Sequence, residues 1–385
     1  MEKVKKFLSF TLPVILLILP IFLTQGLEYF MLKTFNNQSI AGLFILLGYF
    51  FLLFFGTFIN TIIHESGHLI FGLLTGYKFS SFRILSTCFV KNENKIKVKK
   101  FSVPGTAGQC LMLPPTIDSQ GKIPYKLYNW GGCILNLIFS LIFLIFAIIF
   151  KNNAITCSIF AMLSATGGAL IVNNGLPIRN AITQNDAQNV IDISKSKNAL
   201  HSFNLQLLIA ESQSRGIKLQ DMPKEWFIMP NDSEINNAIT ATIAYIICSR
   251  EIELGNFYDA HKMIRDVLQK SPNMLGIHKT LLNLEIIYLD AIHQWASNSD
   301  ILNRLNNLNK QIAPLKRSLT VQRILYTTAL LCENDLQKAV KHLQLFEAIA
   351  KKSPYPQEVE NERKLIALTQ EAYKKISCIP QNSQN

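Results

Sequence analysis

Four apolar stretches in the first half of the chain limit what it can fold into more than any other feature. They cover Phe7–Leu23, Leu43–Leu74, Gly131–Phe150 and Ile155–Leu176. A helix needs about 20 apolar residues to cross a bilayer core. In lipid it must also satisfy its backbone polar groups internally. Each stretch therefore predicts a membrane-spanning helix, with Leu43–Leu74 long enough to tilt or protrude. Lys3, Lys5 and Lys6 give the first stretch the look of a signal peptide, but no A-x-A cleavage site follows it, so an uncleaved span is expected.

Charge supports this reading. The 385-residue chain is 49% hydrophobic and only 17% charged, against about 25% charged in ordinary soluble domains, which excludes a disordered chain. Residues 1–186 carry 15 Lys+Arg and 6 Asp+Glu, whereas residues 187–385 carry 23 and 20. The net charge of +12 is thus concentrated beside apolar runs. There it sets membrane orientation, and no nucleic-acid partner is expected. The loop between the second and third stretches holds Lys78, Arg83, Lys91, Lys95, Lys97, Lys99, Lys100, Lys122 and Lys126; the loop between the first and second holds only Lys33. The alternation predicts a multi-pass cell-membrane protein with the N-terminus, the 75–130 loop and the C-terminal half in the cytosol.

Within that loop, Phe79–Val90 and Lys95–Val103 read as strands about a turn at Asn92-Glu93-Asn94. Lys95-Ile96-Lys97-Val98-Lys99 alternates with period two. A small hairpin against the cytosolic membrane face is expected, and Gly105, Gly108 and Pro114-Pro115 break the pattern after it. Beyond residue 190 the chain reads as helical and soluble. Ala241–Pro272 is a predicted helix pair turning at Gly255-Asn256, and Arg323–Pro354 is a looser copy turning at Glu333-Asn334-Asp335. Small Ala260 and Ala339 fall where paired helices meet, a pattern similar to tetratricopeptide repeats; an irregular helical bundle fits as well. The expected fold class is mainly α: a polytopic membrane helix bundle of about four spans with a cytosolic-face hairpin (1–190), then a soluble all-α, repeat-like domain (191–385). Seven scattered cysteines without a CxxC pair argue against a disulfide framework or a thiolate zinc site.

His64-Glu65-Ser66-Gly67-His68 lies inside the second apolar stretch. Residues i and i+4 share a helix face, so both imidazoles can reach one metal ion, and Glu65 stands beside it as a general base. This is the H-E-x-x-H arrangement of zinc hydrolases. From 7 His and 16 Glu in the chain, about 0.005 chance matches are expected. Ionisable residues within a span are costly unless paired, solvated or metal-bound. A catalytic zinc takes three protein ligands and keeps a fourth position open. Composition and spacing leave the third open among a carboxylate and Cys88, Cys110 and Cys133. His201, His261, His278, His293 and His342 lie on the soluble helices, where structural roles are expected.

The chain resembles the site-2 protease family of intramembrane zinc metalloproteases over about residues 40–190. That family pairs a membrane-embedded H-E-x-x-H with an N-x-x-P…D-G segment whose Asp is the third ligand. Here the segment reads Asn174-Gly175-Leu176-Pro177, then Asn185-Asp186-Ala187. Many members place the Asp eight residues after the Asn, where this chain has Ile182; Asp186 fits the longer spacing of twelve. Ala187 departs from the usual Gly. Gly132-Cys133-Ile134-Leu135-Asn136 is similar to the family's G-P-x-x-N, with Cys133 in place of Pro. The resemblance implies Zn2+ held by His64, His68 and Asp186, catalysis by Glu65, and substrate contacts at Asn174, Pro177 and Asn136. On general grounds Asn136 instead bonds a neighbouring helix.

The function so implied is zinc-dependent cleavage of a membrane protein or peptide: an anti-sigma factor or other regulator, a remnant signal peptide or a pheromone. Partners would be that substrate, the lipid bilayer and a protein bound by the cytosolic tail. The sequence also admits an inactive membrane scaffold or sensor that keeps the fold. A transporter fits less well, since four spans without an internal repeat do not match transporter architecture.

Overall fold

A computed structural model describes residues 7, 11–15, 33, 38–92, 95–101, 105–117, 122–179, 182–353 and 355–377. The polypeptide divides into two compact units. One comprises Met1–Leu85, Ala107–Asn180 and Gln184–Lys195; the other comprises Ser86–Thr106, Ala181–Thr183 and Ser196–Asn385. A cut at 190/191 assigns the loop hairpin to the first domain, whereas Ser86–Thr106 belongs to the second unit.

In the first unit, α1 (Gln38–Leu74), α2 (Tyr125–Ile149) and α3 (Ala154–Gly175) form a bundle. All three are long and apolar enough to cross a membrane. The first expected span, Phe7–Leu23, lies for the most part outside the described residues. At 1.5 Å per residue the 37-residue α1 is about 55 Å long, well beyond one bilayer core. The bundle turns much of its apolar surface outward: Phe54 is 70% and Ile149 62% exposed.

Helices surrounded by lipid gain little from apolar contact and associate through small residues and interhelical hydrogen bonds. Both occur here. A Cβ on Gly67 would fall 2.2 Å from Gly131 O, and one on Gly131 would fall 2.5 Å from Gly67 O, so α1 and α2 touch backbone to backbone. Asn60 Nδ2 donates to Leu163 O at 2.8 Å and Thr166 Oγ1 at 2.9 Å, tying α1 to α3. Ser164 Oγ donates to Ser140 O at 2.9 Å, tying α3 to α2.

The loop after α1 holds more β-structure than a single hairpin. The expected strand Phe79–Val90 is two strands, β1 (Lys78–Ile84) and β2 (Thr87–Asn92), because the chain turns at Leu85, which adopts a left-handed φ of 52°. The buried Arg83 holds this turn: Nη1 donates to Leu85 O at 2.7 Å and Nη2 to Gly108 O at 3.2 Å. β2 pairs antiparallel with β3 (Lys95–Lys100), as expected of the hairpin, although Glu93 and Asn94 of its turn lie outside the described residues. The glycine-and-proline segment after the hairpin contributes β4 (Gly108–Leu113). β4 pairs antiparallel with β1, setting Phe82 opposite Cys110 and Ile84 opposite Gly108.

α4 (Asp186–Ile193) closes the first unit. In the second unit, α5 (Lys197–Ser214) is followed by the helix pair α6 (Ala238–Leu254) and α7 (Phe257–Lys270). The expected turn is realised, with Gly255 at φ 82°. Then come α8 (Gly276–His293), α9 (Asn298–Asn307) and the pair α10 (Leu319–Leu331) and α11 (Leu336–Ala350), which Asp335 caps by accepting from Lys338 N. α12 (Pro356–Ser377) is the last described helix. Ala260 and Ala339 are buried, as the small residues of both pairs should be. The core centres on Leu284, Tyr288, Val321 and Ile324. It also encloses Arg323, bonded to Glu285 at 2.6 Å and Glu362 at 2.5 Å, with the Tyr288 ring 4.2 Å away. A cation buried this deeply persists because two carboxylates pair with it through Nε and Nη2, although Nη1 is left without a partner.

Candidate metal centre

One helical turn separates His64 from His68 on α1, and both are buried. Their rings stand edge to face, 4.9 Å apart. Asp186, 122 residues from His64 in sequence, reaches both: its Oδ2 lies 3.0 Å from His64 Nε2 and 3.4 Å from His68 Nε2. The ligand atoms of the three residues lie within 4.8 Å of one another, the one such group among the described residues. Cys88, Cys110 and Cys133, the other sequence candidates for a third ligand, are not in it. Burial pushes the Cys110 thiol well above its ordinary range, leaving it neutral.

These separations allow a test of fit. Tetrahedral zinc at about 2.0–2.2 Å from N and O ligands sets neighbouring ligand atoms about 3.3 Å apart. The two measured spacings bracket that distance. They also suit an imidazolium hydrogen-bonded to the carboxylate, so the donor set can hold either a proton or a cation. Burial alone would raise the Asp186 carboxyl, but neighbouring His68 and the hydrogen bonds from His64 and His68 outweigh it and hold the group below the usual carboxylate range. It therefore presents an anionic oxygen to whatever the site binds.

The far sides of both rings are engaged. His68 Nδ1 lies 2.7 Å from Tyr128 O. A carbonyl only accepts, so Nδ1 carries the hydrogen, and a neutral His68 turns the lone pair of Nε2 toward Asp186. His64 Nδ1 faces Asn136, whose Nδ2 is 3.2 Å away while its Oδ1 is buried without a partner. The two ends of an amide have nearly the same shape. The orientation that pairs Oδ1 with Nδ1–H satisfies the orphaned oxygen and leaves His64 Nε2 as a ligand. Partners of this kind orient metal-ligating histidines. Asn136, expected at the substrate, is 0% exposed and lies behind His64.

Glycines bring backbone against the site. A Cβ on Gly132 would fall 2.5 Å from His64 Cε1, and one on Gly108 would fall 2.4 Å from Glu65 Oε1. The first residue of β4 therefore lies directly against the Glu65 carboxyl.

Asp186 arrives through a pinned loop. Asn185, the N-cap of α4, accepts from Gln188 N at 3.1 Å and Ile178 N at 3.2 Å, and donates to Asn173 O at 2.6 Å and Leu176 O at 2.5 Å. Arg179 fixes the helix further through Asp192 at 2.6 Å. The sequence reading missed Asn185, although Asn directly before a helix start is a capping signal. Ala187 sits inside α4 without a positive φ, so this turn needs no glycine. Asn174 donates to Leu170 O in its own helix at 3.1 Å. Neither it nor Pro177 is hydrogen-bonded to His64, His68 or Asp186 among the described residues.

Four of the five histidines of the second unit have local partners. His261 meets Asp290 at 2.9 Å, His342 meets Gln322 at 2.9 Å, His278 stacks on Tyr245 and His293 on Trp295. Comparison with family models, curated proteins and solved structures yields no match to this chain.

Proposed function

We propose that this chain is a zinc-dependent endopeptidase that cleaves membrane-protein or signal-peptide-like segments within the membrane, near the face carrying the β-strands. The observation that carries the reading is the meeting of Asp186 with His64 and His68, with Glu65 between them in sequence. Two buried imidazole nitrogens from α1 and a half-buried carboxylate oxygen from α4, with oriented rings, match a catalytic zinc set that leaves one position open. When bound, zinc there would polarise a peptide carbonyl and lower the pKa of water.

Glu65 takes a proton from the attacking water as the new C–O bond forms, then passes it to the departing amine as C–N breaks. Asp186 balances positive charge, while Asn136 and Tyr128 O hold the imidazoles in place. A helical substrate must unwind to expose its carbonyl. β4 pairs with β1 on one side and has no strand on the other among the described residues. An extended segment added to that edge would pass Glu65 at Gly108. The lysine distribution puts this face in the cytosol. On this reading the helical tail binds a substrate or a regulatory protein.

The test is zinc content and cleavage in detergent-purified protein. Wild type should hold about one zinc per chain, Asp186→Ala should lose or weaken it, and Glu65→Gln should keep it while hydrolysis falls by at least about 100-fold. Wild-type cleavage by Glu65→Gln would overturn the mechanism. Zinc without cleavage of any membrane peptide would favour a metal-holding scaffold.

A further inference from the structure

The β2–β3 hairpin has two unlike faces. Its register sets Thr87 opposite Lys100, Phe89 opposite Val98 and Lys91 opposite Ile96. Side chains alternate along a strand, so these six share one face. On the other face Cys88 and Val90 are buried, at 1% and 3% exposure. That face is pinned: the Phe101 ring meets Tyr355 at 5.6 Å, and Lys99 Nζ lies 5.8 Å from the same ring. The first face is open, with Phe89, Ile96 and Val98 at 40%, 62% and 60% exposure.

An exposed apolar strip on a β-face needs a cover, and the charges around it indicate which. Lys91 and Lys100 stand at its two ends. Both are exposed, and neither is paired with a carboxylate among the described residues; Lys95 and Lys97, opposite Asn92 and Val90 in the register, belong to the other face. Apolar side chains framed by lysines match the boundary of an anionic bilayer, where lysine stems bury and ammonium groups reach phosphates. A bilayer is also within reach. Thr87 follows Leu74, the end of a span-length apolar helix, by a connection of no more than about 45 Å even when fully extended.

We propose that the β2–β3 hairpin is a lipid-docking wedge. Phe89, Ile96 and Val98 enter the acyl boundary of an anionic leaflet, while Lys91 and Lys100 bind its headgroup phosphates. This surface does not depend on the proposed peptidase activity.

The experiment uses the full chain with photoreactive benzoylphenylalanine in place of Val98. The protein is reconstituted in nanodiscs of phosphatidylcholine alone or mixed with phosphatidylglycerol, irradiated, and its adducts identified by mass. Lipid adducts should dominate in the anionic discs and decline in high salt. In Lys91→Gln/Lys100→Gln the docked-to-undocked ratio should fall about fivefold for each lysine removed. The same probe at Tyr258, 73% exposed on α7, supplies the background. Adducts no more abundant than at position 258, adducts indifferent to phosphatidylglycerol and to the lysines, or adducts to a protein instead of lipid would each overturn the proposal. The last would assign the face to an acidic protein partner.

Discussion

His64 is held on three sides, by Asp186 at Nε2, by Asn136 at Nδ1 and by the backbone of Gly132 against its ring. A methyl group at position 132 has nowhere to go unless the imidazole moves. Gly132→Ala should therefore weaken zinc binding about 10–100-fold, as loss of an outer-shell partner does, and competition with a metallochromic chelator would measure it. Asn136→Ala should cost a similar factor, whereas Asn136→Asp, which keeps an acceptor at Nδ1–H, should recover most of it. If Asn136 touched substrate alone, metal affinity would not change in either variant. His64, Glu65 and His68 were legible in the sequence because an i, i+4 pair is a local pattern. Asp186 is 122 residues away, and only resemblance pointed to it. The contacts of Gly108 and Gly132 were not legible, since they follow from how strand and helix pack against α1.

Boundaries followed the same division between local and distant causes. Gly255 and the Asn334-Asp335 turn ended helices where their backbone preferences said they would. Leu85 did not announce its turn; its left-handed backbone is held by Arg83, and leucine carries no turn signal. β4, between its glycine and the prolines after it, pairs with β1 with one register irregularity between Phe79 and Ser81. In the helical unit, α6 and α8 meet at His278, which stacks on Tyr245 with ring centroids 4.3 Å apart and lies 3.3 Å from Thr242 Oγ1. Burial lowers its pKa from 6.5 to about 4. The folded imidazole thus stays neutral where the unfolded one is protonated. Its contribution to stability is complete above pH 6.5 and declines as pH falls toward 4, by on the order of 3 kcal/mol. Amide exchange in α6 and α8, corrected for intrinsic rates, should report faster opening near pH 5 than near pH 7.5. His278→Phe, which keeps the stacking, should flatten the difference.

At the scale of the whole molecule, the candidate ligands, Glu65 and the three span-length helices found among the described residues belong to one compact unit ending at Lys195. A chain lacking Ser196–Asn385 should retain about one zinc, as elemental analysis of the purified fragment would establish. Unchanged choice of cleavage site by that fragment would argue against recruitment of substrate by the tail. Apolar runs made the helices long enough to cross a membrane legible. They could not assign Ser86–Thr106 to the second unit, because membership depends on packing and not on position along the chain. The 122-residue interval between His64 and Asp186 also imposes an order on biosynthesis. At about 5–20 residues per second, a ribosome makes α1 roughly 6–24 seconds before it supplies the carboxylate. During that time the nascent chain offers only the two histidines, and two further helices must be made before the third donor can reach them. The proposed three-donor site would therefore exist only once the first unit is nearly complete.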